Sequence, residues 1–102
     1  MGKAIRKYTV MIEGSNVYLN RGHIERMGFF TTRRIEAMNR EEAERIALEH
    51  VKQELEMLDV LCNSPETPPV FSIEQVHEVS SFGDNIVPGK GFSFYKDELA
   101  QH

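Results

Sequence analysis

One amphipathic segment, with alternating segments on both sides of it, constrains the fold of this chain more than any other feature of its 102 residues. Asn39 is a good helix N-cap, and Glu42 stands three residues later, where a capping box places a glutamate. Pro65 ends the pattern, because proline cannot continue a helix. The apolar residues between these signals recur at spacings of three and four: Ala43, Ile46, Ala47, Val51, Leu55, Leu58 and Cys62. We therefore predict one long amphipathic helix over residues 39–62.

Two segments that precede the helix alternate apolar and polar side chains, as strands with one buried face do. The first covers residues 8–13, and the turn-forming run from Gly14 to Asn16 is expected to stop it. The second covers residues 27–38. The sequence therefore predicts a β-hairpin within residues 1–38 whose strands are joined by a long loop over 14–26.

Two further segments follow the helix. Residues 70–80 predict a third strand, and the change of phase after Ile73 predicts either a bulge near Glu74 and Gln75 or a strand end. Residues 81–102 are predicted to form an aromatic tail. Within it, Phe92-Ser93-Phe94-Tyr95 fits either a short fourth strand or an aromatic clasp on the body of the domain.

The order strand, strand, helix, strand predicts a single α+β domain over residues 1–102, of ββαβ type. We expect a three- to four-stranded, mostly antiparallel sheet. The third strand lies either beside the first or beside the second in a right-handed crossover. One helix covers only one face of such a sheet, so the other face stays open or is covered by the tail, by a second copy or by water.

The open side of the predicted sheet carries the candidate interaction surface. Ile35 and Ala37 are expected to face the helix, which turns the alternate residues of that strand away from it. The candidate residues on this surface are Lys7, Met11, Phe30, Thr32 and Arg34. Because it combines apolar and basic groups, we predict a non-enzymatic interaction module that forms a homodimer through this face. RNA or another protein is the alternative partner, since aromatic and basic groups on a sheet can stack bases and hold phosphates.

The charges are divided unevenly along the chain. Residues 1–40 contain eight Lys or Arg and three acidic residues, a balance of +5. Residues 41–102 contain four basic and thirteen acidic residues, a balance of −9, and together these give the formal net charge of −4. Such asymmetry can orient binding partners. The basic and aromatic residues that could contact RNA are Lys7, Tyr8, Arg21, Arg26, Phe30, Arg33 and Arg34.

Other functional classes find little support in the sequence. The single cysteine, Cys62, permits no internal disulfide and no cysteine-based zinc cluster, and it fits a cytoplasmic location. No apolar run is long enough to span a membrane. Pro88-Gly89-Lys90-Gly91 lacks the Ser or Thr that a phosphate loop needs after its lysine. We therefore expect no cofactor, no metal and no membrane partner. An enzyme with no recognisable motif is the remaining alternative.

The stretch from Thr32 to Ala43, followed by Ala47, resembles the strand and helix start of HicB-type antitoxins. The similarity covers residues 5–58, although the chain lacks the proline–glycine stretch usual between the early strands of that family. It implies a ββαβ domain like half of an RNase H fold, and a regulator that binds RNA or a toxin-like protein. Gly89-Lys90-Gly91-Phe92 also resembles the glycine-rich aromatic ending of some small bacterial proteins, which implies no function. Neither resemblance implies particular site residues.

Overall fold

The computed structural model describes residues 4–97 and has the predicted α+β architecture. A four-stranded antiparallel sheet carries one helix on one face. In chain order the elements are β1 (Arg6–Asn20), β2 (Ile24–Ala37), α1 (Arg40–Glu56), β3 (Val70–Val79) and β4 (Ser93–Lys96). The last five residues of the predicted aromatic tail lie outside the described residues.

The strand order across the sheet is β3-β1-β2-β4. The third strand therefore lies beside the first, and the alternative crossover beside the second strand is not used. The predicted irregularity in β3 is present, because its register with β1 shifts between Gln75 and Ile73 and leaves Glu74 as the extra residue. The tail supplies a true fourth strand, β4, paired with the outer edge of β2.

The predicted long loop over residues 14–26 is wrong. Both strands continue through it, and only the turn from Arg21 to His23 separates them. Gly14 does not stop β1, because the residues after it form a β-bulge in which Asn16 adopts a φ of 57°. Asparagine tolerates this left-handed conformation better than most residues do. The bulge resets the alternation, so Val17 lies on the same side of the sheet as the buried residues before it.

The helix is shorter than predicted, with 17 residues instead of the span 39–62. Its start is as expected: the Asn39 side chain accepts a hydrogen bond of 2.8 Å from the Glu42 backbone N–H. After Glu56 the chain turns toward the hairpin, where Cys62 donates its backbone N–H to Tyr18 O over 2.9 Å. Backbone bonds to the long hairpin thus replace the final helical turn, which has no basic residue to favour its continuation. Cys62 is exposed and does not belong to the buried stripe.

The core lies between α1 and one face of the sheet. Ala43, Ala47, Val51 and Leu55 form the buried stripe of α1, as the spacing predicts. The sheet contributes apolar side chains from β1, β2 and β3, namely Tyr8, Val10, Ile12, Val17, Leu19, Met27, Phe29, Ile35, Ala37 and Val76. This connected core therefore belongs to one side of the sheet, and Phe82 in the segment between β3 and β4 is buried outside it.

Candidate interaction face and the tail segment that borders it

We call the sheet surface turned away from α1 the open face, and its central part consists of alternating residues of β1 and β2. The register pairs each β1 member with a β2 member across the strands: Lys7 with Glu36, Thr9 with Arg34, Met11 with Thr32, and Glu13 with Phe30. All five predicted surface residues therefore lie together on this face, with Met11 directly opposite Thr32. Phe30 keeps 44% of its surface exposed, unlike its buried neighbour Phe29.

Tyr95 of β4 covers part of the open face at one end. Its ring packs on Phe30 with a centroid separation of 5.4 Å, and its hydroxyl donates a hydrogen bond to the Glu13 carboxylate. Gly28 makes this possible, since Tyr95 pairs with it and any β-carbon there would overlap the Tyr95 ring. The hydrogen bond to Glu13, followed by burial and nearby negative charge, raises the pKa of Tyr95 to about 12.

The loop between β3 and β4 borders the other end of the open face. The Arg34 backbone N–H donates to Pro88 O over 2.7 Å, and its guanidinium Nη1 donates to Ile86 O over 3.3 Å. Ile86 and Val87 are nevertheless 66% and 47% exposed. An exposed apolar pair is thus held next to the cationic side chain of Arg34.

A shallow, open hollow of about 610 Å³ lies on the open face beside Phe30. Phe30 and Tyr95 contribute aromatic surface to it, and Val70, which is 55% exposed, contributes aliphatic surface. An ion pair of 3.0 Å between Arg26 Nε and Asp97 Oδ2 lies along its wall. This bond is the main cause that raises the pKa of Arg26. The hollow therefore combines apolar surface with this ion pair and with the exposed charge of Lys96.

Several basic residues considered for RNA contacts lie elsewhere or have acidic partners. Arg33 is buried on the helix side, where it pairs with Glu54 at 2.6 Å. Arg21 pairs with Glu25 beside the hairpin turn, and Arg26 pairs with Asp97. Tyr8 is buried in the core. Of the predicted set, Lys7, Phe30 and Arg34 are on the central open face.

The candidate residues predicted for this surface did not include Tyr95 or Glu13, although the tail was one of the covers considered for this face. The alternation in Phe92-Ser93-Phe94-Tyr95 is a usable signal, because it separates Tyr95 from the core-facing Phe94. The segment pairs with β2, however, and no local pattern in the sequence encodes the choice of that strand.

Other chemistry has little support in the part of the chain that the structure describes. Within residues 4–97 no group of three or more His, Cys, Asp and Glu side chains is placed to hold a metal ion. Cys62 is a free thiol whose Sγ lies 3.4 Å from Tyr18 O. In the same residues, no helix has the length and apolar character needed to cross a membrane.

Comparisons with protein-family models, curated proteins and solved structures give no match to this chain.

Proposed function

We propose that this protein is a non-enzymatic interaction module whose open face binds a second copy of the chain. The observation that carries the proposal is the half-exposed Phe30 on the side of the sheet opposite the core that packs against α1. Exposed aromatic surface on a rigid sheet is typical of a protein contact, because its burial is favourable and little conformational entropy is lost.

The charges of the open face favour a second copy over another partner. Lys7 and Arg34 outnumber Glu36 at one end, while at the other end Arg26 and Lys96 are balanced by Glu13 and Asp97. Two copies that pack with opposite strand directions place the basic end of each near the charge-balanced end of its partner. The two basic ends are then kept apart, which favours this symmetric arrangement over one that brings them together.

RNA binding is the alternative outcome, consistent with the role that the HicB-type resemblance implies. The central open face offers Lys7 and Arg34 to phosphates, but Glu13 and Glu36 lie on the same surface. Phosphate backbones carry one negative charge per nucleotide and are bound by surfaces with a clear excess of positive charge. We therefore place a protein contact ahead of RNA.

Sedimentation velocity at micromolar concentration tests the proposal. We expect the wild-type protein to sediment as a dimer and Phe30→Glu to sediment as a monomer, because the new carboxylate would be buried without a partner. Met57→Glu is the matched control, since Met57 is 80% exposed at the end of the helix and should leave the dimer intact.

Two outcomes contradict the proposal. One is a monomeric wild-type protein over the whole concentration range. The other is a dimer that Phe30→Glu leaves unchanged. A parallel titration with single-stranded RNA at two salt concentrations identifies the alternative, because affinity that depends on phosphate contacts falls as salt rises.

A further inference from the structure

We infer that the second copy seats its Ile86 in the hollow beside Phe30, and that the two copies make this contact reciprocally. The inference rests on the proposed function and specifies its geometry. It starts from two exposed apolar features that belong to the same region of the molecule. One is the hollow, with Phe30 and Val70 on its wall, and the other is the exposed pair Ile86 and Val87.

The hollow and the Ile86 loop are offset along the direction of β2. Phe30 marks the hollow, and Arg34, whose guanidinium binds Ile86 O, marks the loop. These two residues are four positions apart on one strand, which corresponds to about 13 Å. Thr32 lies midway between them, and Met11 faces it across the strands.

A two-fold axis that crosses the strands at the level of Thr32 brings these features together. It lays β2 of one copy over β2 of its partner with the direction reversed, so that Phe30 meets the Arg34 end of the other copy. Each Ile86 loop then faces the hollow of its partner. The Arg34 guanidinium also approaches the exposed ring of Phe30, a favourable cation–π arrangement.

The other two-fold arrangement, with the axis parallel to the strands, is disfavoured by charge. In this arrangement each residue lies opposite the same level of the partner's strands. Lys7 and Arg34 of one copy are therefore placed against the same basic end of its partner. It also sets the two Ile86 loops at one end and the two hollows at the other. Neither apolar feature then meets its complement, and like charges oppose each other.

Charge complementation between two variants tests the contact. Phe30→Lys and Ile86→Glu should each raise the dimer dissociation constant about tenfold or more, because each places a charge against apolar surface in both contacts. A mixture of the two variants should form a heterodimer, since one contact then sets the introduced lysine against the introduced glutamate and the other keeps the native pair. Met57→Glu is the control, because Met57 is 80% exposed at the end of the helix, on the opposite side of the sheet.

Cross-linking gives a second measurement that does not depend on a charged substitution. In a Cys62→Ser background, Thr32→Cys should form a cross-linked dimer by itself with a short bis-maleimide, because the axis passes at this level. An axis parallel to the strands would instead join Thr32→Cys to Met11→Cys in a mixture of the two variants. Glu49→Cys on the exposed side of the helix should give no cross-linked dimer.

The outcomes separate this inference from the proposed function. A monomeric wild-type protein contradicts both. A wild-type dimer that is weakened by Phe30→Glu, but is unaffected by Ile86→Glu or cross-links only in the Met11→Cys and Thr32→Cys mixture, contradicts the inference and leaves the open face as the interface. A mixture of Phe30→Lys and Ile86→Glu that stays monomeric also overturns the proposed contact.

Discussion

The buried guanidinium of Arg33 lies 2.6 Å from the partly exposed carboxylate of Glu54, and this ion pair joins β2, the helix and the segment that leads into β4. Arg33 also donates to the carbonyl oxygens of Gly89 and Gly91 at 2.8 and 3.0 Å. The second oxygen of Glu54 accepts the Gly91 backbone N–H. One charged pair therefore fixes the position of the chain that carries both Ile86 and Tyr95.

Replacement of Arg33 by methionine should strongly destabilise the fold. It would remove the partner of Glu54 and leave two carbonyl oxygens without their donor, and because Glu54 is partly exposed and can be hydrated, we expect a loss of about 1–3 kcal/mol. Urea unfolding measures the effect. Arg45→Met is the matched control, because its pair with Glu49 is exposed and should contribute less than about 1 kcal/mol. Equal losses in the two variants would show that the buried network contributes no special stability.

Replacement by alanine should lower the free energy of unfolding by different amounts at two glycines of the hairpin, Gly14 and Gly28. At Gly14 a β-carbon would overlap the ring of Phe29, which is fully buried and packed edge-on against three other aromatic rings. Gly14→Ala should therefore cost about 1–3 kcal/mol in thermal or urea unfolding. At Gly28 the overlap is with the half-buried Tyr95, which can swing aside, so Gly28→Ala should cost less. A larger loss for Gly28→Ala would contradict this difference in packing.

Tyr95 should ionise at higher pH than an ordinary tyrosine. Its raised pKa means that the folded protein favours the neutral phenol, which donates to Glu13. The resulting stability is fully present below about pH 10, the ordinary pKa of tyrosine, and is lost as the pH rises toward 12. We expect the difference in unfolding free energy between wild type and Tyr95→Phe to shrink over this window. A difference that stays constant from pH 9 to pH 12 would contradict the hydrogen bond.

The hairpin turn offers a pH-dependent prediction away from the open face. The hydrogen bond from His23, at 2.8 Å, and then that from Arg21 lower the pKa of Glu25. His23→Ala should move the pKa of Glu25 back up toward its ordinary value, which a carboxyl NMR titration measures. The stability from a lowered carboxyl pKa is present above the ordinary value and is lost as the pH falls. Because these groups are exposed, acid unfolding of the whole domain should change little. An unchanged Glu25 titration would contradict the pairing.

The local sequence pattern was sufficient to predict some structural elements and insufficient to predict others. The start of the helix at Asn39 follows from a cap, which acts within one turn and is therefore encoded locally. The bulge at Glu74 follows from a change of phase that is visible in the apolar residues around it. The run Gly14-Ser15-Asn16 misled the prediction, because the same residues form either a turn or a bulge. The burial of Val17 and Leu19 against the rest of the core, together with the hydrogen bond from Asn63 Nδ2 to Asn16 O, favours the bulge.

The end of the helix and the surroundings of Phe30 are also determined by residues that are distant in the sequence. The chain leaves the helical path at Met57 because residues 60–62 bond to the far part of the hairpin. Phe30 was correctly placed on the open face by alternation, but its contact with Tyr95 comes from a strand near the other end of the chain.

The sequence by itself determined the α+β class, the buried stripe of the helix and the side of the sheet on which Phe30 lies. These features depend on the periods of helix and strand, which short segments express on their own. The tertiary structure alone decided that β3 pairs with β1, that Arg33 is buried against Glu54, and that Tyr95 and Ile86 border the open face. Strand pairing and charge burial are settled by which distant surfaces fit together, and no local spacing contains that information.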